Sequence, residues 1–295
     1  MYENGCQKMI RTIRRLVLGA LLAAGAALPA AAAPEADLWP RWQDHDASAT
    51  ATIDHDAWAA FLDRYLVVHP TGANRVRYSA VSAANQQQLD GYLDALAQVP
   101  ISRYSRPVQF AYWVNLYNAL TVDVVLDHYP VDSIRDIDIS PGWFSNGPWD
   151  AELITVEGTA LSLNDIEHRI LRPIWQDPRI HYAVNCAARG CPDLRAEPFR
   201  AATLDRQLTA AARAYVNDPR GAEVTDDGLV VSKIYTWYQA DFGNSDAGVI
   251  QHLRRYAAPG LKADLDGKAD LDGVSEIDDS RYDWSLNAAT GDGAS

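Results

Sequence analysis

The stretch RPVQFAYWVNLYNALTVDVVLDHYP, residues 106–130, is apolar almost all the way round a helical cylinder. It opens beside Pro107 and stops before Pro130, so proline stands where a helix tolerates it at the start and where it ends one. A helix without a polar face must be covered on every side, so it runs through the middle of the molecule. Every other element of this chain has to be a wrapping for it.

The flanking segments read as that wrapping. DHDAWAAFLDRYLVV (54–68) places Trp58, Phe61, Leu62 and Tyr65 at helical spacing behind a cap at Asp54, and NQQQLDGYLDALAQV (85–99) repeats the pattern. AELITVEGTALSL alternates and turns at Glu157-Gly158, which predicts a β-hairpin. LSLNDIEHRILRPIW predicts a short helix capped by Ser162, and Ile180–Val184 then predicts a strand. A helix near 203–217, a hairpin around Asp227-Gly228, and helices near 235–242 and 246–257 complete the order. Helices come first and mixed strands and helices follow, which predicts an α+β single domain: a buried central helix, peripheral helices and a small, mostly antiparallel sheet.

The N-terminus carries Lys8, Arg11, Arg14 and Arg15, then the apolar run LVLGALLAAGAAL, then small residues. That order predicts a signal peptide over 1–32, cut after Ala32 or Ala33, and a periplasmic or secreted protein. We expect an N-terminal extension over 33–54, the domain over 55–287 and a disordered tail over 288–295. The apolar run falls short of the roughly 20 residues that span a bilayer, so no membrane insertion is expected after cleavage. The net charge of −13 becomes −16 when the leader, with four basic residues and one acidic, is removed. Such a surface repels nucleic-acid phosphates and anionic lipid. The repeat ADLDGKADLDG superficially resembles a calcium loop, but Gly267, Lys268 and Ser275 fall where an EF-hand needs other residues. A solvated acidic loop is the expectation there, with no metal and no cofactor.

Polar residues inside apolar patterns mark the candidate site. At about 100° per residue Glu167 falls within the apolar face of the 162–172 helix and His168 on its edge. A buried carboxylate must be paired or given a task. On the central helix Asn115 and Asn118 lie on one side, where they either hold neighbouring backbone or aim an amide at a developing oxyanion. On the expected strand Cys186 sits at the end, with His181 on the opposite face and about 16 Å away, too far to be its base. Three accounts of Cys186 and Cys191 stand open: a disulfide, a zinc site with Glu167 and His168, and a Cys186 thiolate nucleophile served by His168.

Five ordered pieces, FAYWVNLYNALT, LSLNDIEHRILRP, RIHYAVNCAARGCP, KIYTWYQADFG and YDWSLN, together resemble the domain-of-unknown-function 547 family over roughly residues 55–287. The resemblance implies that Asn115, Tyr117, Asn118, Glu167, His168 and Cys186 are positions to watch. Plant members carry a third motif similar to SCGxWSSP, with Ser in place of Cys191, which tilts the expectation toward Cys186 acting alone.

The leading expectation is an exported cysteine-dependent hydrolase or acyl transferase, distantly papain- or transglutaminase-like, acting on a peptide or other cell-envelope substrate. Cys186 would be the nucleophile, His168 the base, Glu167 its orienter and Asn118 the oxyanion donor, with Asn115, Tyr117 and Trp143 binding substrate. Its rival is a non-catalytic envelope binding module. There the cysteines are oxidised, Glu167 and the asparagines tie the core, and Trp143, Phe144 and Trp149 make the contact.

Overall fold

The computed structural model describes residues 34–142, 147–267 and 273–289. The expected signal peptide, Trp143 and Phe144, residues 268–272 of the acidic repeat and residues 290–295 lie outside them. In chain order the elements are α1 (Asp56–Tyr65), the short ladder β1 (Leu66–Val67) with β2 (Arg75–Val76), α2 (Ala83–Ala97), α3 (Arg106–His128), and the hairpin β3 (Ile154–Val156) with β4 (Thr159–Leu161). A π-helical stretch, Asp165–Leu171, then runs into α4 (Arg172–Trp175). After a 3-10 turn at Pro178–Tyr182 come α5 (Leu204–Val216), β5 (Ala222–Thr225), β6 (Gly228–Ser232), α6 (Lys233–Trp237), a 3-10 turn at Gln239–Phe242, α7 (Asp246–Tyr256), α8 (Pro259–Asp266) and β7 (Asp279–Arg281). The fold is α+β.

The central helix is what its sequence demands. In α3 every residue from Val108 to Val122 is buried, and Val124 and Val125 follow. α1, α2, the 3-10 turn at Pro178–Tyr182 and the π-helical stretch contribute to the main core with it. Trp113 is 1% exposed and meets Trp42 edge-on at 5.1 Å, so the segment before α1 is packed into the core rather than trailing from it. A second core, built by α5, β5, β6 and α7, meets the first at Pro178–Tyr182, where Ile180 joins one and Tyr182 the other. Among the described residues no helix is long and apolar enough to cross a membrane.

The β3–β4 hairpin turns at Glu157 and Gly158, both with positive φ (47° and 75°), the pairing that a two-residue turn between twisted strands requires. β5 and β6 pair antiparallel and β7 joins β6 in parallel, so the strands are mostly antiparallel.

Three expectations are corrected. Residues 180–184 are not a strand: Asp177 accepts a hydrogen bond from the Arg179 amide and the ring of Pro178 presets its own φ for a helix, which together start a helical turn. The alternation of faces inferred for His181 and Cys186 therefore does not apply. The helix carrying Glu167 winds with i→i+5 bonds over Asp165–Leu171. Its wider turn advances less per residue, so Glu167 and His168 both face inward, at 7% and 4% exposure, and His168 is not an edge residue. Ala288 bridges to Val76 and the Ala289 amide bonds the Val76 carbonyl at 2.9 Å, so the tail is ordered at least that far.

Candidate functional site

The asparagines anchor backbone. Asn115 Nδ2 donates to the Phe199 carbonyl at 2.8 Å and its oxygen accepts the Phe199 amide at 2.9 Å. Asn118 does the same for the chain leading to the cysteines: Nδ2 to the Ala183 carbonyl at 2.9 Å, and the Asn185 amide to Oδ1 at 2.8 Å. Both side chains are fully engaged with backbone and buried. Asn118 is therefore not placed to stabilise an oxyanion, nor Asn115 to bind a substrate. Tyr117 is 1% exposed, and its hydroxyl faces Glu167. It belongs to the interior.

Asn185 continues the chain of amides. Its Nδ2 reaches the Pro192 carbonyl, its Oδ1 accepts the Ala187 amide and Asn287 Nδ2, and Asn287 Oδ1 accepts the Tyr78 hydroxyl. The loop 185–192 is thereby closed on itself and docked on the C-terminal segment, whose Ser285 and Asp283 carbonyls accept the Arg189 and Gly190 amides. Ala187 adopts φ 58°, and a Cβ on Gly190 would come within 2.7 Å of the Asp283 backbone, so only glycine permits this close approach. Inside the loop Cys186 and Cys191 are joined in a disulfide. The thiolate nucleophile and the zinc account are both set aside by that bond, which occupies each sulfur.

Beside the loop lies a buried ionic network. Asp241, from the turn after α6, receives Arg172 Nε at 2.6 Å and His181 Nε2 at 2.7 Å on one oxygen. The other His181 nitrogen lies 3.6 Å from Glu167, and Tyr238 stacks on the imidazole at 4.4 Å. Burial opposes the charge on Glu167, but its neighbours His168, His181 and Arg172 outweigh it and hold the carboxyl at about 2. For His181, burial favours the neutral ring, yet Asp241 and Glu167 raise its pKa above the ordinary value. Burial pushes His168 down to about 4, so it is neutral at pH 7. Arg172 Nη1 donates to His168 Nδ1 at 3.0 Å, which fixes that nitrogen as an acceptor. His168 is thus a partner of Arg172 and not the base of Cys186. Every member of this network is structurally committed, as buried charges must be.

What remains accessible is aromatic. Trp149, Trp237, Tyr282 and Trp284 are each half-buried. Ring centroids lie 4.7 Å apart for Tyr282 and Trp284, 4.9 Å for Trp237 and Tyr282, 5.6 Å for Trp237 and Trp284, and 5.7 Å for Trp149 and Trp284. Arg135 lies over the Trp284 ring at 5.2 Å. Gly147, at φ +91°, makes room for this surface, since a Cβ there would fall 2.1 Å from the Trp149 ring.

Residues 101–216 match the family model described as protein of unknown function, DUF547. The match covers α3, the π-helical stretch, the cysteine loop and α5. No curated protein and no solved structure matches the chain. Of the residues that build the site, Trp237, Tyr238, Asp241, Tyr282 and Trp284 were not singled out from sequence. They lie in the two C-terminal motifs, KIYTWYQADFG and YDWSLN, whose density of aromatics was the available signal.

Proposed function

We propose that the chain is a non-catalytic binding module of the cell envelope, exported by its leader, whose aromatic surface holds an uncharged saccharide. The observation that carries this reading is the contiguous run of half-buried rings, Trp149, Trp237, Tyr282 and Trp284, assembled from three separate segments. Rings that keep one face wet offer apolar area at little entropic cost, which suits the C–H faces of sugars. The net acidity of the chain disfavours an anionic polymer on it. A thiol hydrolase built on Cys186 and His168 draws no support from the geometry, because the sulfur is oxidised and the imidazole is held by Arg172.

The test is retention on immobilised neutral envelope glycan and titration calorimetry with soluble fragments. Trp284→Ala, which removes the ring shared by three neighbours, should weaken binding about tenfold, or about 1.4 kcal/mol, with the circular dichroism unchanged. Equal binding by wild type and Trp284→Ala, or no retention of wild type on any glycan, would overturn the reading.

A further inference from the structure

The two sulfurs of the disulfide occupy unequal surroundings. Cys186 is half-buried, whereas Cys191 is 3% exposed. Cys191 Sγ accepts the Cys186 amide N–H at 3.0 Å, while the Tyr282 hydroxyl stands 3.1 Å from each sulfur. Burial pushes the Tyr282 phenol well above its ordinary pKa, so it stays a neutral donor. Arg220 donates to the Cys191 carbonyl at 3.0 Å, but Asp193 and Asp218 balance its charge, so the hydrogen bonds matter more. Cys186 is the less covered of the two residues, and Cys191 has the Cys186 amide and the Tyr282 hydroxyl ready for a thiolate.

We propose that the Cys186–Cys191 disulfide is a thiol-exchange site, at which a low-molecular-weight thiol attacks Cys186 and Cys191 is the leaving group. The thiolate of the incoming molecule, its proton already lost to water, forms a bond to Cys186 Sγ. The bond between the two cysteine sulfurs breaks and its electron pair departs on Cys191 Sγ. The incoming thiol is oxidised to a mixed disulfide with Cys186 and Cys191 is reduced to a thiolate. Exchange is faster when the departing sulfur is the better-stabilised anion. The Cys186 amide and the Tyr282 hydroxyl supply that stabilisation to Cys191. Attack in the opposite sense would need entry to a buried sulfur and would release Cys186 with Tyr282 as the donor shown. Because Tyr282 also packs on Trp237 and Trp284, exchange acts at the edge of the aromatic surface, whatever ligand that surface takes.

The probe is glutathione. Oxidised wild-type protein is incubated with reduced glutathione, quenched with N-ethylmaleimide at intervals and mapped by peptide mass. The expected product carries glutathione on Cys186 and the maleimide on Cys191. Glutathione on Cys191, or on both equally, would overturn the assignment. Reclosure by Cys191 could outrun the quench, so two single variants are read with oxidised glutathione. Cys186 in Cys191→Ser should be modified at least tenfold faster than Cys191 in Cys186→Ser, and equal or reversed rates overturn the proposal. Tyr282→Phe should slow reduction of the wild-type pair severalfold, and an unchanged rate would remove Tyr282 from the step.

Discussion

Asp241→Asn tests the ionic network most directly. Asp241 holds two cations whose side chains are almost wholly buried: Arg172, 4% exposed, and His181, 2% exposed. Breaking a buried pair costs about 3–5 kcal/mol because a charge is left uncompensated. Asp241 itself is 23% exposed and asparagine keeps one acceptor oxygen, so the lower end, about 3 kcal/mol, is expected. For a domain of this size that is roughly a 6–12 °C fall in Tm. The pH dependence carries more information. Burial opposes ionisation of Asp241, but His181 and Arg172 outweigh it and hold its carboxyl well below the usual range. Its contribution is therefore present above about 3.8 and is lost as the pH falls toward its folded value. The His181 pKa is raised, so its contribution is complete below 6.5 and is lost as the pH rises through the folded value. The difference between wild type and Asp241→Asn should be largest between about pH 4 and 6.5, shrinking in acid and declining in alkali to the share held by Arg172. Urea unfolding followed by tryptophan fluorescence from pH 3 to 9, with the disulfide intact, measures it. A difference below about 1 kcal/mol, or one that is flat across this range, would refute the network as described.

Asn118→Ala leaves the Ala183 carbonyl and the Asn185 amide without their partner and should cost about 2–4 kcal/mol in urea unfolding; a loss under 1 kcal/mol would mean water replaces the amide. Iodoacetamide should label neither Cys186 nor Cys191 until a reductant is added, and His168→Ala should leave the later labelling rate unchanged, whereas slowing would restore His168 as a base. Gly147→Ala forces Trp149 aside and should weaken saccharide binding severalfold while unfolding shifts by about 1 kcal/mol; retained affinity would take Trp149 out of the surface.

The parts of this molecule that were legible in the sequence are those fixed by composition within one segment. α3 announced itself because no face of it is polar, and the burial of Glu167 followed from its apolar neighbours. The 178–182 turn was misread because a short apolar run looks alike in a strand and in a buried turn, and the deciding signal, Asp177 before Pro178, is two residues long. The partners of Glu167 were hidden for another reason. Asp241 lies sixty positions beyond His181, and nothing in a linear pattern says which arginine or histidine will meet it. The aromatic surface was half visible: Trp149 is an expected contact residue, but Trp284, and through it Trp237, joins it only after the chain closes.

That closure sets an order of events. The C-terminal segment bonds the loop 185–192, and Tyr78 reaches Asn287 across 209 positions of sequence. Such distant pairings wait for nearly the whole chain, since loop closure must precede them. A nascent polypeptide therefore exposes its cysteine loop without the cover of residues 282–287, and the two thiols stand open until Tyr282 arrives. The aromatic surface is the last feature to be assembled, and a chain shortened by about fifteen residues from its C-terminus should still build the central helix while lacking Tyr282 and Trp284.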